Sequence, residues 1–298
     1  MNKEIPKINF QQLKHYDKSA IDLLSVALKD HGFFTIYNHD IEEKYFKKAY
    51  ASSEAFFNLE TDIKNKYANP EKAGARGYTP FAKETALGES VPDLKEFWHH
   101  GPVKDSSFDD QIHENIVVQE LPTFNQELDS LFNRLNDIGI NLLKNISICL
   151  HLEMDYFDSW VEKGNSLLRL IHYPPTDNSN PHRAREHADI NLITLLIGAD
   201  EPGLEVKDKN NEWIPVKSNF DEIVCNIGDM MQLITDNKLK STKHRVIKYP
   251  DQLKRSRYSI PFFLHPAPSV MLKSVYKDDD GILASEFLDE RLKAIKLY

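Results

Sequence analysis

From Ser166 to about His265 the chain is a succession of short apolar and β-branched runs: "LLRLIHY", "LITLLIG", "GLEVKD", "EWIPV", "EIVCNIG", "HRVIKYP" and "RYSIPFFLH". Turn residues separate them, and "KDKNNE" has the make-up of a hairpin loop. Strands this short at such regular spacing predict a sandwich or barrel, because a sheet folded back on itself gives every run a buried face.

The first half differs in texture. "IPKINF" predicts a short strand, and "DKSAIDLLSVALKDHG" a helix capped by Asp17 or Ser19 and stopped at Gly32. "GFFTIYNH" predicts another strand, and "EEKYFKKAYASSEAFF" a second helix. The segment from Asn69 to about Val117 is irregular and far longer than an ordinary connection, as lids and binding loops often are. A long helix follows. Pro122 suits its first turn, and Leu128, Leu131, Phe132, Leu135, Ile138, Leu142, Ile146 and Cys149 trace one apolar face, a spine for packing. A last helix is expected from about Leu283 to Lys296. The expected fold is mainly β with α: a β-rich core propped on N-terminal helices. The expected divisions are 1–120 (mixed N-terminal region), 121–165 (spine helices), 166–266 (β-core) and 267–298 (C-terminal helical extension).

With 298 residues, 41% of them hydrophobic, the chain can fill a real core. A net charge of −9 argues against broad nucleic-acid binding, which needs cations to neutralise phosphates. Cys149 and Cys225 are too few for a disulfide framework. The N-terminus lacks a signal-peptide h-region, and no apolar run reaches the roughly 18 residues of a membrane span. A reduced, cytoplasmic protein is expected, without nucleic-acid or membrane partners. Oligomeric state is not legible.

"REHADINLIT" carries the chemistry. On an extended strand residues i and i+2 share a face, so His187 and Asp189 can aim at one point. His244, opening "HRVIKYP", offers a third ligand from another strand. Two histidines and a carboxylate on one side of an ion make the facial triad of non-haem Fe(II) oxygenases, with positions left open for co-substrate and O2. A structural zinc site would want four closed ligands, usually with cysteine. The ordinary alternative for His-x-Asp is a pair of surface polar residues. Arg257 and Ser259 are again two apart. A guanidinium fork beside a hydroxyl receives a carboxylate well, although an isolated Arg-x-Ser more often faces solvent.

Taken with the flanking blocks, the chain resembles the Fe(II)- and 2-oxoglutarate-dependent oxygenases, in their isopenicillin N synthase-like branch. "IPKINF", "HGFFTIYNHDI", "LLRLIHYPP", "HADINLITLL", "GLEVKD", "EWIPV", "CNIGDMMQLITDNKLKSTKHRV" and "RYSIPFFLHP" are similar to successive family signatures, over nearly the whole chain. The resemblance implies a double-stranded β-helix (jelly-roll) core with helices outside. It implies that His187, Asp189 and His244 hold iron, and that Arg257 and Ser259 bind the distal carboxylate of 2-oxoglutarate. Tyr173 matches a tyrosine that in relatives contacts the co-substrate or the substrate. Ile171 stands where many plant members have Asn, removing a donor near the metal-proximal end of 2-oxoglutarate, and Asp40 replaces a turn glycine. The implied cofactors are Fe(II), 2-oxoglutarate and O2. The implied reaction releases succinate and CO2 and oxidises a small molecule through an iron(IV)-oxo species, by hydroxylation, desaturation or ring closure. No catalytic side chain beyond the metal ligands is implied.

On the substrate side, "GARGYTPF" resembles a family segment that places Arg76 and Tyr78 near substrate, with Arg76 as a clamp for a substrate carboxylate, and Phe263 is a candidate wall. The ordinary readings are a surface arginine for Arg76 and core packing for Phe263. His99 and His100 are adjacent on a strand, hence on opposite faces, and receive no role. Arg183 and Arg185 are expected in water. Two rivals remain: an oxidase using the triad without 2-oxoglutarate, like isopenicillin N synthase or aminocyclopropane carboxylate oxidase, and a barrel that binds a small molecule without catalysis.

Overall fold

Strands and helices alternate in the N-terminal region: β1 (Lys7–Asn9), α1 (Phe10–Lys14), α2 (Lys18–Asp30), β2 (Phe33–Tyr37), α3 (Glu43–Phe57), α4 (Thr61–Asn65), β3 (Gly77–Thr79) and β4 (Glu96–His100). The structure, a computed structural model, describes residues 4–69, 74–84, 92–175, 182–198, 202–249 and 254–294. Asp17 caps α2, its carboxylate accepting from the Ser19 and Ala20 amides. Gly32, at φ +65°, turns the chain out of that helix where a Cβ would meet the Lys240 carbonyl at 2.5 Å. Asn38 and Asp40 have φ of 59° and 63°, so the aspartate occupies a left-handed turn position that a glycine would fill without strain.

The spine is α5 (Phe124–Cys149), and the predicted apolar stripe from Leu128 to Ile146 is buried along it. Pro122 lies just ahead of the Thr123 N-cap rather than within the first turn. Gly139 lets this helix close on the sheet: a Cβ there would sit 3.0 Å from Leu264. Phe132 meets Phe262 edge-on at 5.1 Å.

After α6 (Asp158–Val161) come β5 (Leu167–Tyr173), β6 (His182–His187), β7 (Ile193–Ile197), β8 (Leu204–Lys207), β9 (Trp213–Pro215) and β10 (Ile223–Ile227). Then follow α7 (Asp229–Ile234), β11 (His244–Ile247), β12 (Arg257–Ser259), β13 (Pro261–Leu264), β14 (Met271–Leu272), β15 (Ile282–Leu283) and α8 (Ala284–Ala294). The larger sheet runs β1-β2-β10-β7-β13-β5-β4-β3, with β12 also on β5; the smaller runs β6-β11-β8-β9. Many antiparallel strands in two sheets make the jelly-roll core. Among the described residues no helix is long and apolar enough to cross a membrane.

Two strands lie where irregular chain is expected. β4 pairs with β5 at full length, Glu96↔His172 to His100↔Leu168, and β3 pairs with β4. Every residue of β4 is buried, so it shows no in–out alternation, and its charged Glu96 is satisfied internally by Lys64 and His172, each at 2.8 Å. The last helix matches its expected start to within a residue; Ile295 and Lys296 lie outside the described residues.

Candidate active site

Strand pairing brings the two histidines together. His187 ends β6 and His244 opens β11, and they are direct partners in the antiparallel register, with ring centroids 4.3 Å apart. Asp189 is not on the strand. It sits in the loop after β6, so the shared-face expectation fails; the loop itself delivers the carboxylate. That loop is pinned by the Asp229 amide donating to the Asp189 carbonyl at 2.7 Å and the Met230 amide to Ile190 at 3.0 Å.

Ligand atoms of the three residues lie within 4.8 Å of one another. Nδ1 of His187 is 2.7 Å from the Arg185 carbonyl and Nδ1 of His244 is 3.3 Å from the Thr242 carbonyl. Each Nδ1–H donates to its carbonyl, which leaves Nε2 as the lone-pair atom facing inward. Oδ2 of Asp189 accepts from Thr194 Oγ1 at 2.6 Å and Asn226 Nδ2 at 2.7 Å, while Oδ1 lies 3.7 Å from His244 Nε2. Burial opposes charge on Asp189, but the two histidines and these donors hold it ionised, below its usual range. Burial and then His244 push His187 down to about 4, so it is neutral near pH 7. Two imidazoles, each with Nε2 turned inward, and an oriented carboxylate on one side fit Fe(II). Thr194 and Asn226 are missed by sequence reasoning, although each is a polar residue inside a buried apolar strand, which is the signal that finds them. Removing either donor, as Thr194→Val or Asn226→Leu, is expected to weaken metal binding roughly 10- to 100-fold in a competition titration with a chelator.

A cavity of about 480 Å³ opens at the triad, lined by Tyr173, Ile171, Ser259 and, from α8, Leu288 and Leu292, among others. Tyr173 and Ile171 of β5 pair with Arg257 and Ser259 of β12. Arg257 is 1% exposed, and neither its Nε nor its Nη1 has a hydrogen-bond partner. Its guanidinium carbon is 5.5 Å from the Tyr173 ring centre. A buried guanidinium with idle donors is costly unless an anion meets it, which fits a co-substrate carboxylate.

Arg76 is no surface residue: it is 3% exposed and lines the cavity, because Gly101 leaves room for its head group. Phe263 lines the cavity, with the Arg169 guanidinium 5.3 Å from its ring centre. Tyr78 does not line it. Its side chain points into the core against Phe56, and its hydroxyl donates to Glu96, so it is corrected to a packing residue. His99 and His100 do face opposite ways. His100 bonds Asp129 at 2.7 Å on the outer side, whereas His99 lines the cavity, accepting from Arg169 Nε at 2.7 Å and donating to Gly74 at 2.6 Å. Arg183 and Arg185 are not in water either: Arg183 donates to the Arg255 carbonyl at 3.2 Å and Arg185 pairs with Asp93 at 3.3 Å.

Two histidines, His265 buried and His187 half-buried, give the metal-free protein a pH signature. Burial holds His265, like His187, at about 4, against roughly 6.5 in an unfolded chain. The unfolded state therefore binds more protons between those values. Stability is full above about pH 6.5 and falls towards pH 4, by up to roughly 3 kcal/mol from His265, with His187 acting in the same direction. The Tm of metal-free protein should drop from pH 7 to pH 5, with a smaller drop in His265→Asn; a flat profile contradicts the assignment.

Residues 164–266 match the 2OG-Fe(II) oxygenase superfamily, and residues 5–120 match the non-haem dioxygenase N-terminal region described from morphine synthesis. The proline hydroxylase buaE of Petromyces alliaceus is 32% identical over 276 residues, spanning 87% of this chain and 85% of that one. Among solved structures, a Caulobacter crescentus protein assigned to the 2OG-Fe(II) oxygenase family superposes with a TM-score of 0.88 at 37% identity, covering 98% of this chain and 99% of that one. A full-length Neurospora crassa protein, solved in complex with alpha-KG and thymine, superposes with a TM-score of 0.85 at 26% identity, covering 97% and 96%. The fold and site thus define a class, the non-haem iron oxygenases. The chain belongs to the Fe(II)- and 2-oxoglutarate-dependent oxygenase superfamily and is a dioxygenase of that kind, with Fe(II) and 2-oxoglutarate as cofactors and O2 as oxidant.

Proposed function

We propose that His187, Asp189 and His244 hold the Fe(II), that Arg257 and Ser259 receive the distal carboxylate of 2-oxoglutarate beside Tyr173, and that a small-molecule substrate occupies the cavity between Arg76 and Phe263. The observation that carries this is the convergence of three ligand atoms within 4.8 Å, each residue's remaining polar atom already engaged elsewhere. Bound Fe(II) with 2-oxoglutarate supplies an oxidant able to break an unactivated C–H bond.

The chain's own residues do the rest. Asn226 and Thr194 fix the Asp189 carboxylate, and the Arg185 and Thr242 carbonyls fix the imidazoles, so the open side of the triad faces the cavity. Arg257 and Ser259 orient the co-substrate from the strand next to Tyr173. Ile171 pairs with Ser259 and offers no donor, so orientation rests on Arg257, Ser259 and the metal. The apolar walls at Ile171, Leu196, Val246 and Phe263 exclude water from the reacting centre.

The family matches at 5–120 and 164–266 support a catalytic core at 166–266 and an N-terminal region ending near 120. A reducing, cytoplasmic setting is in keeping with two free thiols, Cys149 and Cys225. Hydroxylation, desaturation and ring closure all fit the same site. Purified protein with Fe(II), 2-oxoglutarate and a library of small molecules, scored for succinate release above the substrate-free rate, tests the reading. Oxygen uptake without succinate would favour the oxidase that does not use 2-oxoglutarate.

A further inference from the structure

Around the cavity most buried cations face a carboxylate. Lys95 lies 3.1 Å from Asp93, Arg169 is 3.2 Å from Glu84, and Arg185 is 3.3 Å from Asp93. Two guanidinium groups form no such ion pair among the described residues, and they sit at opposite ends of β5. Arg257 lies beside Tyr173. Arg76 lies beside Asn165, just ahead of the strand, with Nη2 donating to Asn165 Oδ1 at 3.1 Å and Nη1 to the Ala75 carbonyl at 2.6 Å. Its Nε is buried without a partner.

The surroundings of Arg76 are built rather than incidental. A Cβ at Gly101 would fall 2.2 Å from its Nε, so the head group lies directly on the Gly101 backbone. The Asn165 amide donates to the Pro266 carbonyl at 3.1 Å, which ties this corner to the end of β13. There His265 lines the cavity, 7% exposed, with Nδ1 buried and unpartnered. Phe263, on the same face two residues earlier, and Leu167 supply adjoining apolar wall. A buried guanidinium with no ion pair among the described residues, on which Glu114 acts only at a distance, next to an imidazole nitrogen without a partner, is the arrangement that an incoming anion completes.

We infer that the Arg76–Asn165–His265 corner is a second anion subsite, and that the substrate is a small organic acid whose carboxylate meets Arg76 while its apolar body lies along Phe263 and Leu167. This rests on the reading that Arg257 takes 2-oxoglutarate: that molecule has one carboxylate for Arg257 and one for the metal, and none left for Arg76. A single guanidinium with an amide and a neutral imidazole matches a singly charged carboxylate better than a phosphate, which would bring nearly two charges. His265 is then a substrate-contacting residue that donates one hydrogen bond.

The test uses protein loaded with Co(II) and 2-oxoglutarate, titrated calorimetrically with benzoate, cinnamate and hexanoate and with the corresponding primary amides. At least one acid should bind about tenfold or more tightly than its amide, in line with one charge-assisted contact. Arg76→Met should erase that preference while changing the 2-oxoglutarate Kd less than about twofold. Gly101→Ala, whose Cβ displaces the guanidinium without removing its charge, should weaken the acids and leave 2-oxoglutarate binding alone. A ligand-receiving Arg76 also predicts that the Tm of ligand-free Arg76→Met stays within a few degrees of wild type, whereas a structural arginine would lower it by roughly 10 °C or more. Amides binding as well as acids, no acid binding, or an acid preference surviving in Arg76→Met each overturns the inference. Failure of wild type to bind 2-oxoglutarate would instead bring down the reading of Arg257 on which it rests.

Discussion

His187→Ala should release succinate at no more than about one hundredth of the wild-type rate, because losing even an outer hydrogen-bond partner of a metal ligand costs 10- to 100-fold. The histidine contributes one of only three protein ligands, and no other His, Cys, Asp or Glu among the described residues joins the cluster to replace it. Its ring is half-buried at a strand end, so removal should leave the fold intact, as circular dichroism and Tm can check. The same loss is expected for His244→Ala. Asp189→Ala should be at least as severe, since it also leaves the Thr194 and Asn226 donors unpaired. Succinate release within a few-fold of wild type in any of the three would remove that residue from the ligand set.

The second large effect is at Arg257. Replacement by Met should raise the 2-oxoglutarate concentration needed for half-maximal turnover by about 100-fold, as expected for losing charge-assisted hydrogen bonds worth roughly 3 kcal/mol. Arg257→Lys should recover only part of this, because an ammonium cannot reproduce the planar fork. The ligand-free Arg257→Met protein should be no less stable than wild type, since the buried guanidinium has two idle nitrogens and no ion pair among the described residues. If Arg257→Met binds 2-oxoglutarate normally but unfolds early, the arginine is structural.

Much of the fold is legible in residue order. The short β-branched runs after Ser166 form strands β5 and β7 to β13, and the stripe from Leu128 to Ile146 is the buried face of the spine helix. Those elements bury one face against a core, and such faces leave a periodic trace. β4 leaves none because both of its faces are covered, and β6, "HRAREH", carries no apolar run, so only its His-x-Asp end points to an extended strand. The metal ligands are legible in kind, but a shared strand face accounts for only half of their geometry. The histidine is placed by its register with His244, and the aspartate by a loop pinned to the start of α7, a long-range contact that local spacing does not encode.

Charged residues are where sequence and structure part most. Arg76, Arg183 and Arg185 are expected in water on the ordinary preference of arginine for surfaces. Burial wins where a partner is present, as Asp93 is for Arg185, or, on the reading proposed above, where a ligand supplies one to Arg257 and Arg76, neither of which is ion-paired among the described residues. Neither condition is visible from neighbours in the chain: Asp93 and Arg185 come together only when the segment ahead of β4 packs on β6. Tyr78 departs in the opposite sense, since its hydroxyl meets Glu96 inside the core and has no need of the cavity.

The stoichiometry of oxygen and succinate is the most direct measure of the central claim. Purified protein supplied with Fe(II), 2-oxoglutarate and a substrate from the acid screen is predicted to consume one O2 for each succinate and CO2 released, and to stop when His187 is replaced by Ala. Oxygen uptake without succinate, or succinate release that persists in His187→Ala, would contradict it.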